Sequence, residues 1–405
     1  MKDLFLKSTK TLVIMAALFG VITLNSCKDD EEVTPAGEEL VEDGFYIQGP
    51  SSAYASYDIK ATLSSARNEV LQEDRATLLE IFVALKTGDG FNIMQVAGAE
   101  RTSWGPSADF ADHVGGTNDE PNVTFQRGGI ESTETKFTVP TDGLYHVVID
   151  TETGKGAIVP VEWGFIGQST PGGWSDDTKF DAPAFDMTTM TWSLTGVEMG
   201  GGEWKFRYSG GWKVEIDTTI DLGDGKKGVK FNTNFGNDAA GAAFAGALVP
   251  GGDNYTDAKG IYDVSMTWTA GSGHTAVYTK TGDLPARDYS AVEVGIVGDG
   301  ATGSVWPANG DDKTELAIST PAKVGDVYTW TYNGIELLSA GGFKLRTSGT
   351  WDDINEGYSD AVGGPNGDDI QDAGGNMQAK ADGTYDIVFT IDAAAETKSI
   401  SFTKK

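Results

Sequence analysis

The chain has 405 residues with 54 glycines, 13 prolines and 22 % charged residues, the composition of a folded, turn-rich protein rather than a disordered one. Its length predicts two to four domains. A formal net charge of −30 makes DNA, RNA and anionic lipid surfaces poor partners, because each would be repelled. The only histidines, His113, His146 and His274, are scattered, which argues against a His-based metal site or catalytic triad.

At the N-terminus Lys2, Lys7 and Lys10 precede the apolar run "TLVIMAALFGVITL", the layout of a signal peptide and too short for a membrane span. The run ends in "LNSC", where small residues lead to Cys27, the only cysteine of the chain. A lone cysteine makes no internal disulfide. As a new N-terminus it can carry lipid, and the sequence around it resembles the lipobox of bacterial lipoproteins. The alternative is an ordinary secretory signal with an incidental cysteine. The acidic run "KDDEE" at 28–32 opens a solvated tether reaching to about residue 41.

Beyond the tether the chain repeats itself. Each copy opens on a strand ending in glycine: "GFYIQGP" at 44–50, "WGFIGQSTPGGW" at 163–174 and "VEVGIVGDGATGSVW" at 292–306. Each continues with two strands around a glycine turn and closes on a Gly–x–Tyr strand carrying Tyr145, Tyr262 or Tyr385. The tyrosines are one small domain apart. Tyr262, Val264, Met266 and Trp268 alternate onto one face, as do Tyr385, Ile387, Phe389 and Ile391. "DRATLLEIFVAL" has helical character, but its place in the repeat predicts a strand. "VEMGGGEWKF" and "ELLSAGGFKL" read as hairpins. The expected fold is all-β: three tandem antiparallel β-sandwiches at 42–160, 161–285 and 290–405, with "TKTGDLPARDYS" as a linker.

Copies two and three share a surface pattern. Trp204, Phe206 and Tyr208 point inward on one strand, which sends Lys205 and Arg207 to the other face; Phe343 and Leu345 do the same for Lys344 and Arg346. Five residues after each arginine comes a loop tryptophan, Trp212 or Trp351, and upstream stands a second, Trp174 or Trp306. Indole faces stack on the C–H face of a pyranose, and lysine and arginine offer donors to its hydroxyls. This pattern predicts binding of a neutral polysaccharide or oligosaccharide. The competing reading is that these tryptophans cap the ends of the sandwiches. Trp192, Trp204, Trp268 and Trp330 lie in strand interiors and read as core, with Trp163 and Trp104 undecided. Asp176, Asp177, Asp352 and Asp353 either accept hydroxyl hydrogens or simply make acidic turns.

Copy one departs from the pattern. Asn92 and Met94 replace the Lys and Arg, Tyr54 and Tyr57 occupy the loop, and Arg101 and Trp104 stand apart, so no site is expected there. No catalytic, metal or cofactor site is predicted: no motif pairs carboxylates as a glycoside hydrolase requires, and "DLGDGKKG" and "GPNGDDIQD" lack the spacing of a calcium loop. A hydrolase or a sandwich scaffold are the alternative readings.

The lipobox cysteine, the acidic tether and repeats opening on "IGQSTPGGW" resemble the SusE/SusF-type surface glycan-binding lipoproteins of Bacteroidetes. The resemblance implies a non-catalytic lipoprotein that holds starch or a related glycan at the outer membrane, beside a SusC/SusD-like glycan transporter complex. It implies site residues Trp174, Arg207 and Trp212 in copy two and Trp306, Arg346 and Trp351 in copy three. "GDGATGSVW" departs from that pattern by losing the proline.

Overall fold

The computed structural model describes residues 41–405 except 55, 116–118, 360 and 365. The signal peptide, Cys27 and the acidic tether expected from the sequence therefore lie outside the described residues. What is described is an all-β, multi-sheet architecture, antiparallel throughout except for one short parallel pairing, Val362–Gly363 against Thr397–Lys404.

In copy one a single sheet runs Gly44–Gln48, Asn92–Ala97, Glu100–Pro106, Thr124–Ser132, Lys155–Pro160, Gly143–Asp150, Glu73–Leu85 and Ser64–Asn68, with Ala111–Val114 paired to Thr124–Ser132. Copy two splits into two main sheets. One contains Trp163–Ile166, Gly202–Tyr208 and Asn234–Gly236; the other contains Thr189–Met199, Gly260–Thr269 and Gly273–Gly282. Copy three repeats that split, with Val294–Val297 and Lys344–Thr347 in one sheet and Val327–Leu337, Gly383–Asp392 and Thr397–Lys404 in the other. The ambiguous "DRATLLEIFVAL" lies within the strand Glu73–Leu85. Gly260–Thr269 is buried at every second residue, the signature of a strand with one face on a core.

The two expected hairpins are not hairpins. Thr189–Met199 pairs with Gly260–Thr269, whereas Gly202–Tyr208 pairs with Trp163–Ile166 and Asn234–Gly236. Val327–Leu337 and Lys344–Thr347 likewise belong to different sheets. The glycine turn, with Gly201 at φ +80°, carries the chain across the core instead of back along one sheet. This places both apolar faces, Trp192 and Met199 on one side and Trp204 and Phe206 on the other, in one interior. Local sequence cannot tell the two outcomes apart, because alternation and turn chemistry are the same for both.

A second difference concerns independence. The strand Gly143–Asp150 is buried at seven successive residues, Leu144 to Asp150, so both of its faces are covered. One face, with Tyr145, Val147 and Ile149, lines the core of copy one. The other, with Leu144 and Val148, joins the core of copy two. At this seam His146 Nδ1 lies 2.7 Å from the Tyr208 hydroxyl, and Trp268 Nε1–H donates to the Phe82 carbonyl at 3.2 Å. Copies one and two thus pack as neighbours through a common apolar layer. Copy three keeps its own core.

Candidate functional site

Strand register places the polar pairs. Lys205 lies opposite Ile166 and Arg207 opposite Gly164; Lys344 lies opposite Val297 and Arg346 opposite Gly295. A Cβ on Gly295 would come within 2.6 Å of the Glu315 side chain, so the missing side chain makes room for the segment that carries the arginine's partner. In copy one the corresponding pairings are Asn92 with Gln48 and Met94 with Tyr46, and the buried Tyr46 ring occupies the position of the glycine.

Each arginine forms the middle layer of a stack. The Arg207 guanidinium carbon lies 4.7 Å from the centre of the Trp212 ring, and its Nε–H donates to Asp177 at 2.8 Å. In copy three the Arg346 guanidinium carbon is 4.3 Å from the Trp351 ring centre and its Nε–H donates to Glu315. The other Arg346 nitrogens donate to the carbonyls of Gly310 and Asp312. Charge-assisted bonds and cation–π contact together lock the indole's seat. The arginines leave their strands on the face predicted, but they are not exposed: Arg207 is 7 % and Arg346 0 % accessible. They support the tryptophans from beneath and, for Arg346, all three nitrogens donate to protein. Burial raises the Asp177 carboxyl above its ordinary range, with Arg207 opposing that shift. With its side chain only 6 % accessible, Asp177 belongs to the support and not to the accessible surface.

The tryptophans themselves reach the surface. Trp174 is 44 % exposed, and Trp212, Trp306 and Trp351 are half-buried. Trp174 and Trp212 have ring centres 6.3 Å apart with planes tilted by 34°, which makes one bent aromatic platform. In copy three Trp306 and Trp351 line an open cleft of about 400 Å³ with Lys344, Asn355 and Asn376. Trp306 is oriented by its Nε1–H, which donates to Asp299 at 3.0 Å. By contrast Trp163, Trp192, Trp204, Trp268 and Trp330 are all buried, and Trp104 is half-buried with its Nε1–H on Gln95 at 3.1 Å.

Two asparagines escaped the sequence reading. Lys205 Nζ donates to Asn234 at 3.3 Å, and Lys344 Nζ donates to Asn355 at 3.2 Å. The positions are equivalent, since Asn234 pairs with Arg207 and Asn355 with Arg346. Asn234 also donates to the Trp212 carbonyl at 2.9 Å, joining lysine and tryptophan loop. Burial depresses the Lys205 ammonium pKa. The signal that would have found these residues is a shared strand register, which requires the pairing and not the spacing. Among the described residues no group of three or more His, Cys, Asp or Glu is placed to hold a metal ion.

No protein-family model matches the chain, and no curated protein matches it. There is a weak structural resemblance to the crystal structure of SusF from Bacteroides thetaiotaomicron: 11 % identity over 90 % of this chain and 73 % of that one, with a TM-score of 0.20. Overlap that low carries no argument, so the reading of the site rests on its own geometry.

Proposed function

We propose that this protein is a non-catalytic glycan-binding protein with two sites, one at Trp174, Lys205 and Trp212 and one at Trp306, Lys344 and Trp351. The observation that carries this reading is the duplication of one constellation: an accessible indole seated on a carboxylate-paired arginine, beside a lysine–asparagine pair and a second indole. Indole faces suit the apolar face of a sugar ring, and ammonium and amide groups suit its hydroxyls. Arg207 and Arg346 act as supports beneath these surfaces. The residues lining the cleft of copy three are two tryptophans, a lysine and two asparagines, which supply donors and acceptors but not the facing carboxylates of glycoside hydrolysis.

The ligand on this reading is a neutral polysaccharide, with an α-glucan such as starch as the first candidate, because a chain of net charge −30 repels polyanions. Three tandem all-β units at 42–160, 161–285 and 290–405, the first built on one continuous sheet and not the sandwich expected, would display the sites from an outer-membrane lipid anchor at Cys27, next to a glycan transporter complex. Affinity electrophoresis of the full chain on starch, laminarin and fructan tests the reading. Retention that Trp212→Ala and Trp351→Ala each reduce is expected. Retention by none of the three, or retention indifferent to both substitutions, overturns it.

A further inference from the structure

Among its described residues copy one carries no aromatic–lysine constellation, yet it touches the loop that presents Trp212. Residues 119–122 lie between its strands Ala111–Val114 and Thr124–Ser132. The backbone N–H groups of Trp212 and Lys213 both donate to the Asp119 carbonyl, at 2.6 and 3.0 Å, and the Asn122 N–H donates to the Ser209 carbonyl at 2.9 Å. A Cβ on Gly211 would sit 2.6 Å from the backbone nitrogen of Pro121, and one on Gly210 would sit 2.4 Å from the Asn122 amide.

Copy three shows what this loop looks like alone. The Ser348 N–H donates to Glu293 as the Ser209 N–H donates to Glu162, and Gly349 shares the positive φ of Gly210. The residue equivalent to Gly211 is Thr350, whose hydroxyl accepts from the Asp352 N–H at 3.1 Å within the same loop. The two loops differ at Ser209, whose φ of +53° Ser348 does not share, but Gly211 itself lies outside the positive-φ region, so its backbone would accept a side chain as that of Thr350 does. Gly211 has none because Pro121 fills the space.

We propose that segment 119–122 of copy one is a positioning element for the glycan site of copy two, so that this site is complete only when both copies are joined. The proposal rests on the glycan reading above. Copy one then contributes to binding without touching sugar: it fixes the height and tilt of Trp212 relative to Trp174, while the Trp351 loop is self-supported.

The test uses the full chain and the best-retained of starch, laminarin and fructan. Gly211→Thr installs the residue that the copy-three loop already carries, and Gly211→Ala is a smaller wedge measured alongside it. Hydrogen exchange at the Trp212 and Lys213 amides is expected to accelerate about fivefold or more, the worth of one net hydrogen bond. In a Trp351→Ala background, which leaves only copy two to bind, retention should weaken about fivefold. In a Trp212→Ala background the same wedge should change nothing. Unchanged exchange overturns the proposal, and so does faster exchange with unchanged retention by copy two. If neither tryptophan substitution alters retention of the parent chain, the glycan reading itself fails, and amide exchange alone then decides whether the segment holds the loop.

Discussion

Arg346 and Glu315 form a completely buried ion pair directly beneath the Trp351 ring. A charge without its partner in such a place has no water to fall back on. Glu315→Gln, which leaves the guanidinium uncompensated, should therefore destabilise the protein by about 3–5 kcal/mol, whereas replacing both partners by apolar side chains of similar volume should recover much of that. Denaturant midpoints for the single and double variants provide the check. Lys344→Ala, at a solvent-accessible position, should leave stability within about 0.5 kcal/mol and lower glycan retention instead. A large stability loss from Lys344→Ala with normal retention would reverse the roles assigned to these two cations.

The two proposed sites would act together on a long ligand. Once the first is engaged, the second meets a raised local ligand concentration, and avidity gains of roughly 10²- to 10⁴-fold follow where the geometry permits. Trp212→Ala or Trp351→Ala alone should weaken polysaccharide binding partially and the double substitution nearly abolish it. Oligosaccharides too short to reach both sites should bind the parent and single variants with no avidity gain. Calorimetry on the four proteins distinguishes this from a single-site protein, in which one substitution would remove everything.

His274 sits at the seam of copies one and two, packed against Phe82, Trp163, Phe235 and, electrostatically, His146. Burial, with a smaller contribution from His146, pushes its pKa down to about 3. The folded state keeps this ring neutral over a range in which the unfolded chain, near 6.5, takes up a proton. Stability is unaffected by this group above about pH 6.5 and falls as pH drops from there towards 3, by about 1.4 kcal/mol per pH unit. The parent should lose about 2 kcal/mol between pH 7 and pH 5 that His274→Phe does not lose. Parallel pH profiles for the two proteins would contradict this assignment.

The proposed anchor is tested separately. Cys27→Ala should release the protein from the membrane fraction while leaving glycan retention unchanged. One acyl chain anchors only marginally, and firm attachment needs more than one. A Cys27→Ala protein that still sediments with membranes would show that something other than this cysteine holds it there.

The sequence by itself determined the class of structure. Period-two alternation in Tyr262–Trp268 and Tyr385–Ile391, with glycine turns between, dictates strands with one buried face, because that periodicity depends only on the local geometry of an extended chain. It also separated the tryptophans of strand interiors from those of loops, since Trp192, Trp204, Trp268 and Trp330 are buried and Trp174 is not. Alternation likewise sent Arg207 and Arg346 to the face opposite the core. It said nothing about what would cover them there, and that is where tertiary structure took over. Asp177, Glu315, Asn234 and Asn355 come from segments between 11 and 31 residues away, brought alongside by strand pairing and by loops that cross the sheet. Whether a glycine turn folds back as a hairpin or crosses the core is decided by which distant strand wins the pairing, so the sheet assignment of Gly202–Tyr208 was invisible locally. The latch from Pro121 onto Gly211 joins residues of different copies, and only the packed assembly reveals why that glycine has no side chain.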